Sequence, residues 1–472
     1  MTGVTALRPA RARLLVCAAS LACSLAIALS FPLVDPDEGR NAEVAAEMAA
    51  HGDVVIPHLA GVPYLDKPPG LFALSALAIR AFGRHPLAAR LPAMLASLAT
   101  LLLVAHAARR LEGDDHAWRA MALFAAAPLA AVLAAYVIFD MPLAACVTAV
   151  WTLNALDLER GPSARRRAAM ALAVAAGVLV KGPVMLAWAL GGSATAALLL
   201  RERAPLRWLA WAPGWLLALG PPAAWFALAL RRHPEYAHYA FLEESWERMT
   251  TRSFDRNQPW WFVPAVFVGG ALPWSLVTPW RWPASRAARL AAAHVLFAAV
   301  FFSLSRSKLV TYLLPAFPAL GWWAAESWRA GGRPRWTFAA ALLFTPLLLA
   351  AGWTSLERAA RDASGAPLAH ALAAAGVGSV TYEDCYSPGT DYLLARPSTV
   401  VSATGRPLTS NYAVRYRDAL RQRGQWTLVD SLALAPAADA IVREVRHPGT
   451  PPAGAREIFR DTRYIAWRLT AP

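Results

Sequence analysis

The chain has 472 residues, 57% of them hydrophobic and 16% charged, a balance that excludes an ordinary soluble protein of two or three domains and points to the membrane. Its formal net charge of +15 comes from 46 basic against 31 acidic residues, and because the basic residues lie between apolar runs they do not form a nucleic-acid surface. Cys17, Cys23 and Cys146 fall within apolar runs and only Cys385 in polar sequence, so no disulfide framework is implied.

Roughly eleven apolar runs approach the length of about 20 residues that a membrane span requires. They start near Leu14, Leu87, Trp118, Met141, Ala168, Val184, Trp208, Trp260, Ala288, Leu309 and Trp336. Arginines gather between alternate runs, as at Arg11 and Arg13, Arg109 and Arg110, Arg165 to Arg167, Arg201 and Arg203, and Arg286 and Arg289. This positive-inside pattern marks a cytoplasmic face and puts the N-terminus on it. The first run ends in small residues like a signal peptide, but its closeness to Asp37 favours an uncleaved anchor.

The first outer loop, Val34 to Pro86, opens on Asp37 and Glu38, followed by Asn41, Glu43, Val44, Glu47 and Met48 at helical spacing. The spacing predicts a short amphipathic helix with two acids at its N-terminus, where the dipole favours them; plain helix capping would use the same residues. Tyr64-Leu65-Asp66-Lys67-Pro68-Pro69 follows and sets an ion pair beside two prolines that fix the backbone. Gly70 to Phe82 is apolar but too short to span, and is expected to lie in the interface.

Further outer corners fall at Phe139-Asp140, Lys181-Gly182-Pro183 and Ser303 to Lys308, with a long loop from Arg231 to Pro259. Asp140 lies between two apolar runs with no cation near it in sequence, so it either caps a helix before Pro142 or faces a cavity with a partner. Only three residues are lysines, Lys67, Lys181 and Lys308, and all three fall on the predicted outer face. Snorkelling from span ends is the ordinary use of such lysines. Three ammonium groups sharing one side at headgroup depth also suit a lipid phosphate. Tyr312 lies one helical turn after Lys308, so both are expected to face one pocket. His233 and His238 lack a further ligand at a known metal spacing.

From about Thr354 the apolar runs shorten. Leu368 to Ala375 and Val414 to Arg421 read as helices, and Ser379 to Tyr382, Trp426 to Val429 and Tyr464 to Leu469 as strands. The expected division is a membrane domain, residues 1–353, with an outer loop at 34–86, and an outward-facing α/β domain at 354–472.

The set Asp37-Glu38-x-Arg40, Tyr64-x-Asp66-Lys67-Pro68-Pro69, Lys181-Gly182-Pro183, Gln258-Pro259-Trp260-Trp261 and Ser305-x-Ser307-Lys308-Leu309-x-x-Tyr312-x-x-Pro315 resembles the bacterial members of the protein O-mannosyltransferase superfamily, glycosyltransferase family 39, and among them the lipid A aminoarabinose transferases. The resemblance implies a mainly α, polytopic GT-C bundle of about 11–13 transmembrane helices with a small periplasmic C-terminal α/β domain, in the bacterial inner membrane. It also implies transfer of a sugar from an undecaprenyl-phosphate carrier to lipid A or another envelope acceptor, among membrane lipids and without nucleic acid. Asp37 and Asp140 match catalytic acids. Arg40, Lys67, Lys181 and Lys308 match positions associated with the carrier or acceptor phosphate, and Tyr64, Asp66, Arg248 and Tyr312 are expected beside them as substrate-binding residues. No cofactor is required by the motifs. The superfamily's option of a divalent metal falls here on Asp66 and Ser245, where relatives carry glutamate and histidine, and Asn41 replaces a tyrosine. The alternative from another class is a lipid-linked sugar flippase or transporter, which is expected to show repeated halves or matching broken helices; neither is visible.

Overall fold

The computed structural model describes residues 9–247, 257–332 and 334–469. Arg248, one of the expected substrate-binding residues, lies outside them, as do Arg8 and Arg333.

The fold is mainly helical. Among the described residues six helices are long and apolar enough to cross a membrane by length and composition: Pro9–Ser30, Pro86–Leu111, Asp140–Arg160, Ala212–Arg232, Arg286–Leu304 and Trp336–Asp362. The other apolar runs form shorter or broken helices, and proline is the commonest reason. The run near Trp118 divides into Asp114–Ala125 and Pro128–Leu133, because Pro128 supplies no N–H to the preceding turn and starts a new helix instead. The run near Trp260 divides at Pro273 into Phe262–Gly270 and Trp274–Val277. The run near Leu309 becomes a 3₁₀ segment, Val310–Ala316, followed by Phe317–Ala330, with Pro315 and Pro318 at the junction. The expected loop from Arg231 to Pro259 is partly helical, with Tyr236–His238 leading into a π-helical stretch, Tyr239–Glu247.

Packing groups the chain into two compact units. One takes the residues up to Ile27 with Pro92–Gly352; the other takes Ala28–Leu91 with the residues from Trp353 on. The first outer loop therefore belongs to the same compact unit as the C-terminal segment, which a boundary drawn along the chain at residue 353 does not convey.

The first unit is a helical bundle around fully buried Trp151, Trp188, Trp274 and Trp322. Two helices approach closely at Gly191 and Gly192. A Cβ on Gly192 would lie 2.3 Å from Nε2 of His294, and one on Gly191 would lie 2.0 Å from the ring of Phe297. Small residues let helix backbones pack this way where lipid gives no hydrophobic drive.

The second unit holds a mixed five-stranded sheet. Apart from a separate short hairpin, β1 (His58–Leu59) and β2 (Val62–Pro63), its strands are β3 (Val380–Glu383), β4 (Ser398–Val401), β5 (Ala440–Glu444), β6 (Arg456–Arg460) and β7 (Tyr464–Arg468). The sheet order is β4-β3-β5-β7-β6, with β3 parallel to β4 and β5 and β7 antiparallel to β5 and β6. The helix expected at Leu368 to Ala375 forms as Ala366–Ala374. Trp426 to Val429 is not a strand: only Val429 makes an isolated bridge, to Val401. The helix expected over Val414 to Arg421 breaks at Tyr416 into Asn411–Arg415 and Arg417–Gln422, since Ser410 caps a separate first turn.

The first outer loop, with its helix Asp37–His51, is tied to the sheet of this unit by loop side chains. Arg84 pairs with Glu43 and donates to the carbonyls of Tyr392 and Asp391 at 2.8 and 3.0 Å. Asp35 accepts from Ser387 Oγ at 2.9 Å and from the Gly389 amide at 3.0 Å. Enclosure raises the Asp35 carboxyl from its ordinary 3.8 to about 6, against the opposing pull of the Ser387 hydroxyl and Arg463.

Two outcomes follow. Gly192→Ala is expected to lower stability by about 1–3 kcal/mol through overpacking against His294, read as a fall in thermal midpoint of the detergent-purified protein. An acid whose folded pKa is raised binds its proton more tightly when folded, so the Asp35 contribution favours folding fully below about 3.8 and is lost as the pH rises through about 6. Asp35→Asn is therefore expected to flatten that part of the midpoint-against-pH curve relative to the parent chain; parallel curves would contradict it.

Candidate active site

In the second unit the first-loop motif divides its two adjacent acids between opposite jobs. Glu38 points inward, wholly buried, and Arg90 grips it with Nε to Oε1 at 2.6 Å and Nη2 to Oε2 at 2.7 Å. Asp37, one position earlier on the helix, points outward with its side chain 53% exposed. Its Oδ1 accepts from Nη2 of Arg40 at 2.7 Å. This is a charge-assisted bond across three residues of one helical face.

Arg40 is fixed from its other side by the C-terminal segment. Its Nη1 donates to Thr409 Oγ1 at 2.7 Å and more weakly to the Thr409 carbonyl at 3.4 Å. Its guanidinium carbon sits 5.9 Å from the centre of the Tyr64 ring. Tyr64 is buried and edge-packed on Phe72. Asp37, Arg40 and Tyr64 therefore form one cluster, as the motif implied.

Asp66 lies beside them, yet its carboxylate is taken up by protein donors. Oδ1 accepts from the amides of Asn411 and Tyr412 at 3.0 and 3.2 Å, and Oδ2 from Ser410 Oγ. Lys67 Nζ donates to the Asp66 carbonyl at 2.7 Å. The metal implied by the superfamily does not fit these residues. Asp66 already serves three donors, and Ser245 Oγ donates to the Ala240 carbonyl at 2.6 Å. Among the described residues no group of three or more His, Cys, Asp or Glu side chains converges on a metal position, and no chemical step here is routed through one.

In the first unit the expected partner of Asp140 is present. Asp140 opens the helix Asp140–Arg160, Lys181 closes the helix Ala164–Lys181, and Lys181 Nζ donates to Asp140 Oδ1. The two side chains are 2% and 11% exposed, so the pair is desolvated. The ammonium also lies 4.7 Å from the centre of the Tyr312 ring, a cation–π contact. Lys308 is elsewhere. Leu309 is extended at φ −127° and ψ 151°, so no helix joins Lys308 to Tyr312, and the expectation that one turn would aim both at a single pocket is not met. Instead Lys308 Nζ donates to the Gln258 carbonyl at 3.1 Å. Asn257 bridges to Ser307, which brings the Gln258-Pro259 and Ser305-to-Lys308 motifs together. Asn257, Gln258, Pro259, Arg306 and Lys308 line a pocket of about 310 Å³. Among the described residues its side-chain donors are two cations and two amides, with no acid, a lining that suits an anion.

Sequence reasoning missed Arg90, Thr409 and Ser410. Arg90 had a legible signal, an arginine inside an apolar helix, which needs an internal partner. Thr409 and Ser410 had none, since they lie more than three hundred residues from the motif they touch.

A mainly helical chain with apolar helices and a small mixed sheet has the GT-C fold of its structural neighbours. The crystal structure of ArnT from Cupriavidus metallidurans bound to undecaprenyl phosphate superimposes with a TM-score of 0.80 at 25% identity, covering 97% of this chain and 98% of that one. A family model described as dolichyl-phosphate-mannose-protein mannosyltransferase matches residues 66–225. The undecaprenyl phosphate-alpha-4-amino-4-deoxy-L-arabinose arabinosyl transferase of Pectobacterium carotovorum is 26% identical over 453 residues, 92% of this chain and 77% of that protein. The enzyme of the same name from Edwardsiella ictaluri is 31% identical over 312 residues, 61% of this chain and 54% of its own length. The chain spans about half the length of most of the curated relatives it matches. In sequence and fold it is similar to the bacterial protein O-mannosyltransferase-like proteins, and among them to the aminoarabinose transferases.

Removing one member of a buried ion pair leaves an uncompensated charge, at a cost of about 3–5 kcal/mol, whereas replacing both by apolar groups is close to neutral. Lys181→Met is therefore expected to lower the thermal midpoint strongly and Lys181→Met with Asp140→Leu to recover most of it; additive losses in the double variant would show that the pair is not desolvated.

Proposed function

We propose that the chain is a glycosyltransferase of the bacterial inner membrane that moves a sugar from an undecaprenyl-phosphate carrier to an envelope acceptor on the periplasmic side. Transfer of aminoarabinose to lipid A is the specific instance that the relatives' names favour. The observation that carries this reading is Asp37, an outward-facing carboxylate held by Arg40 through one oxygen with the other left open. That is the arrangement a general base needs: a fixed orientation and access to a proton.

On this reading the carrier's phosphate is the leaving group. The bond between the anomeric carbon and the phosphate oxygen breaks, and its electron pair leaves with undecaprenyl phosphate. The acceptor oxygen bonds to the anomeric carbon from the opposite face, with inversion. An acceptor hydroxyl gives its proton to Asp37; a phosphate acceptor arrives ionised and needs only orientation.

Charge that grows on the departing phosphate is stabilised by cations, a role that the reading takes from the family resemblance alone for Lys67, Lys181, Lys308 and Arg248. Asp140 then acts through Lys181, holding its ammonium between a carboxylate and the Tyr312 ring. Asp66 acts through the segment 410–412 that it anchors. The anion pocket at Lys308 suits a phosphate of either the carrier or the acceptor.

Asp37→Asn keeps the Arg40 bond but removes the base. It is expected to lower release of undecaprenyl phosphate from an undecaprenyl-phosphate sugar by about 10²–10⁴-fold while the thermal midpoint stays near that of the parent. Undiminished release by the Asn variant would remove Asp37 from the chemistry, and no release by the parent chain with any such donor would favour a carrier or transporter.

A further inference from the structure

Among the described residues the non-glycine positions with positive φ are Ala60, Arg201, Asp384, Ala395 and Thr409. Thr409 is the β-branched one, at φ 52° and ψ 30°. In that region its Cβ crowds the backbone, and two branches on Cβ make the crowding worse, so glycine or asparagine is the ordinary occupant. Strain of this kind persists only where the surroundings over-determine the conformation, and it gathers at working sites.

The surroundings of Thr409 do over-determine it. On one side its hydroxyl and carbonyl both accept from Arg40 Nη1. On the other, the next three residues are fastened to Asp66 through Ser410 Oγ and the amides of Asn411 and Tyr412. Ser410 Oγ in turn accepts from the Ala413 amide at 3.1 Å. The strained residue is thus held between the Asp66 and Arg40 positions of the two first-loop motifs, and the group it touches is the one that orients Asp37.

We propose that Thr409 is a positioning residue for sugar transfer: it locks the plane of the Arg40 guanidinium, and Arg40 in turn holds the Asp37 carboxylate in one orientation. The inference rests on the reading of Asp37 as the base. It gives the C-terminal segment a role in catalysis that needs no contact with substrate. It also explains why a threonine occupies a backbone position that glycine would fill without strain. Glycine would keep the carbonyl contact at 3.4 Å but lose the hydroxyl contact at 2.7 Å, and the shorter bond fixes the guanidinium.

The test uses the full chain in detergent and its variants Thr409→Gly, Thr409→Val and Thr409→Ser, comparing thermal midpoints with kcat and KM for release of undecaprenyl phosphate from undecaprenyl-phosphate aminoarabinose. Thr409→Gly is expected to keep or raise the midpoint while kcat falls about ten- to hundredfold, the size of effect that misorienting a reacting group produces. KM is expected to stay within about twofold, because the residue does not bind substrate. Thr409→Val is expected to lose kcat similarly, and Thr409→Ser, which keeps the hydroxyl, to retain most of it. A Gly variant with parental kcat overturns the proposal, and so does one with a lowered midpoint, since the residue would then serve stability. If the parent chain releases no carrier phosphate, it is the transfer reading that fails; the midpoint of the Gly variant still decides whether the strained threonine is kept for something other than stability.

Discussion

The Glu38–Arg90 pair sets the frame on which the first-loop chemistry stands. Arg90 is 1% exposed and Glu38 not at all, and in such surroundings an unpaired charge is untenable. Every remaining donor direction of Arg90 is used: Nη1 reaches the carbonyls of Ala28 and Phe31, and Nη2 that of Pro32. These are carbonyls at and just beyond the end of the first long helix, which no further helical turn satisfies. Glu38 also accepts from the Val34 amide at 3.1 Å. One ion pair thus ends one helix and starts the next. With Glu38 turned inward, helical geometry turns Asp37 outward, about 100° round the axis.

The neighbouring contacts convert that frame into a site. Arg40 lies one turn along from Asp37, and its own side chain is 13% exposed while the Asp37 side chain it holds is 53% exposed, so a largely covered guanidinium orients a carboxylate that stays open to solvent. Asp66 shows the opposite use of a carboxylate: it caps and anchors a segment of chain. Two acids of one motif set, close in space, therefore divide between orientation of a reacting group and orientation of the backbone. In the helical bundle Asp140 serves the first use, fixing the position of Lys181 at the end of an apolar helix.

Composition and residue type carried much of this. The scarcity of lysine singled out Lys67, Lys181 and Lys308, and each proved to be held by a named acceptor. Periodicity placed the helix of Asp37 and Glu38. The strands at Val380–Glu383 and Tyr464–Arg468 were legible from β-branched and aromatic runs. Where reading failed, local pattern lost to context. Trp426 to Val429 has strand composition, but only Val429 finds a bridge partner. Lys308 and Tyr312 have helical spacing, but an extended Leu309 separates them.

The sequence by itself determined that the chain is a membrane protein, where its polar corners fall, and which acids and lysines stand at them, because burial in lipid forbids charge without purpose and so makes each exception visible. Only the tertiary structure decided what each charge does. Glu38 and Asp37 are adjacent letters with the same chemistry, and Asp66 and Asp140 read alike beside their apolar neighbours. Their roles depend on Arg40, one turn away, on Arg90 and Lys181, 52 and 41 positions from the acids they hold, and on Ser410, 344 positions from Asp66; beyond the first, these partners are set by the packing of distant segments and leave no local trace in the sequence.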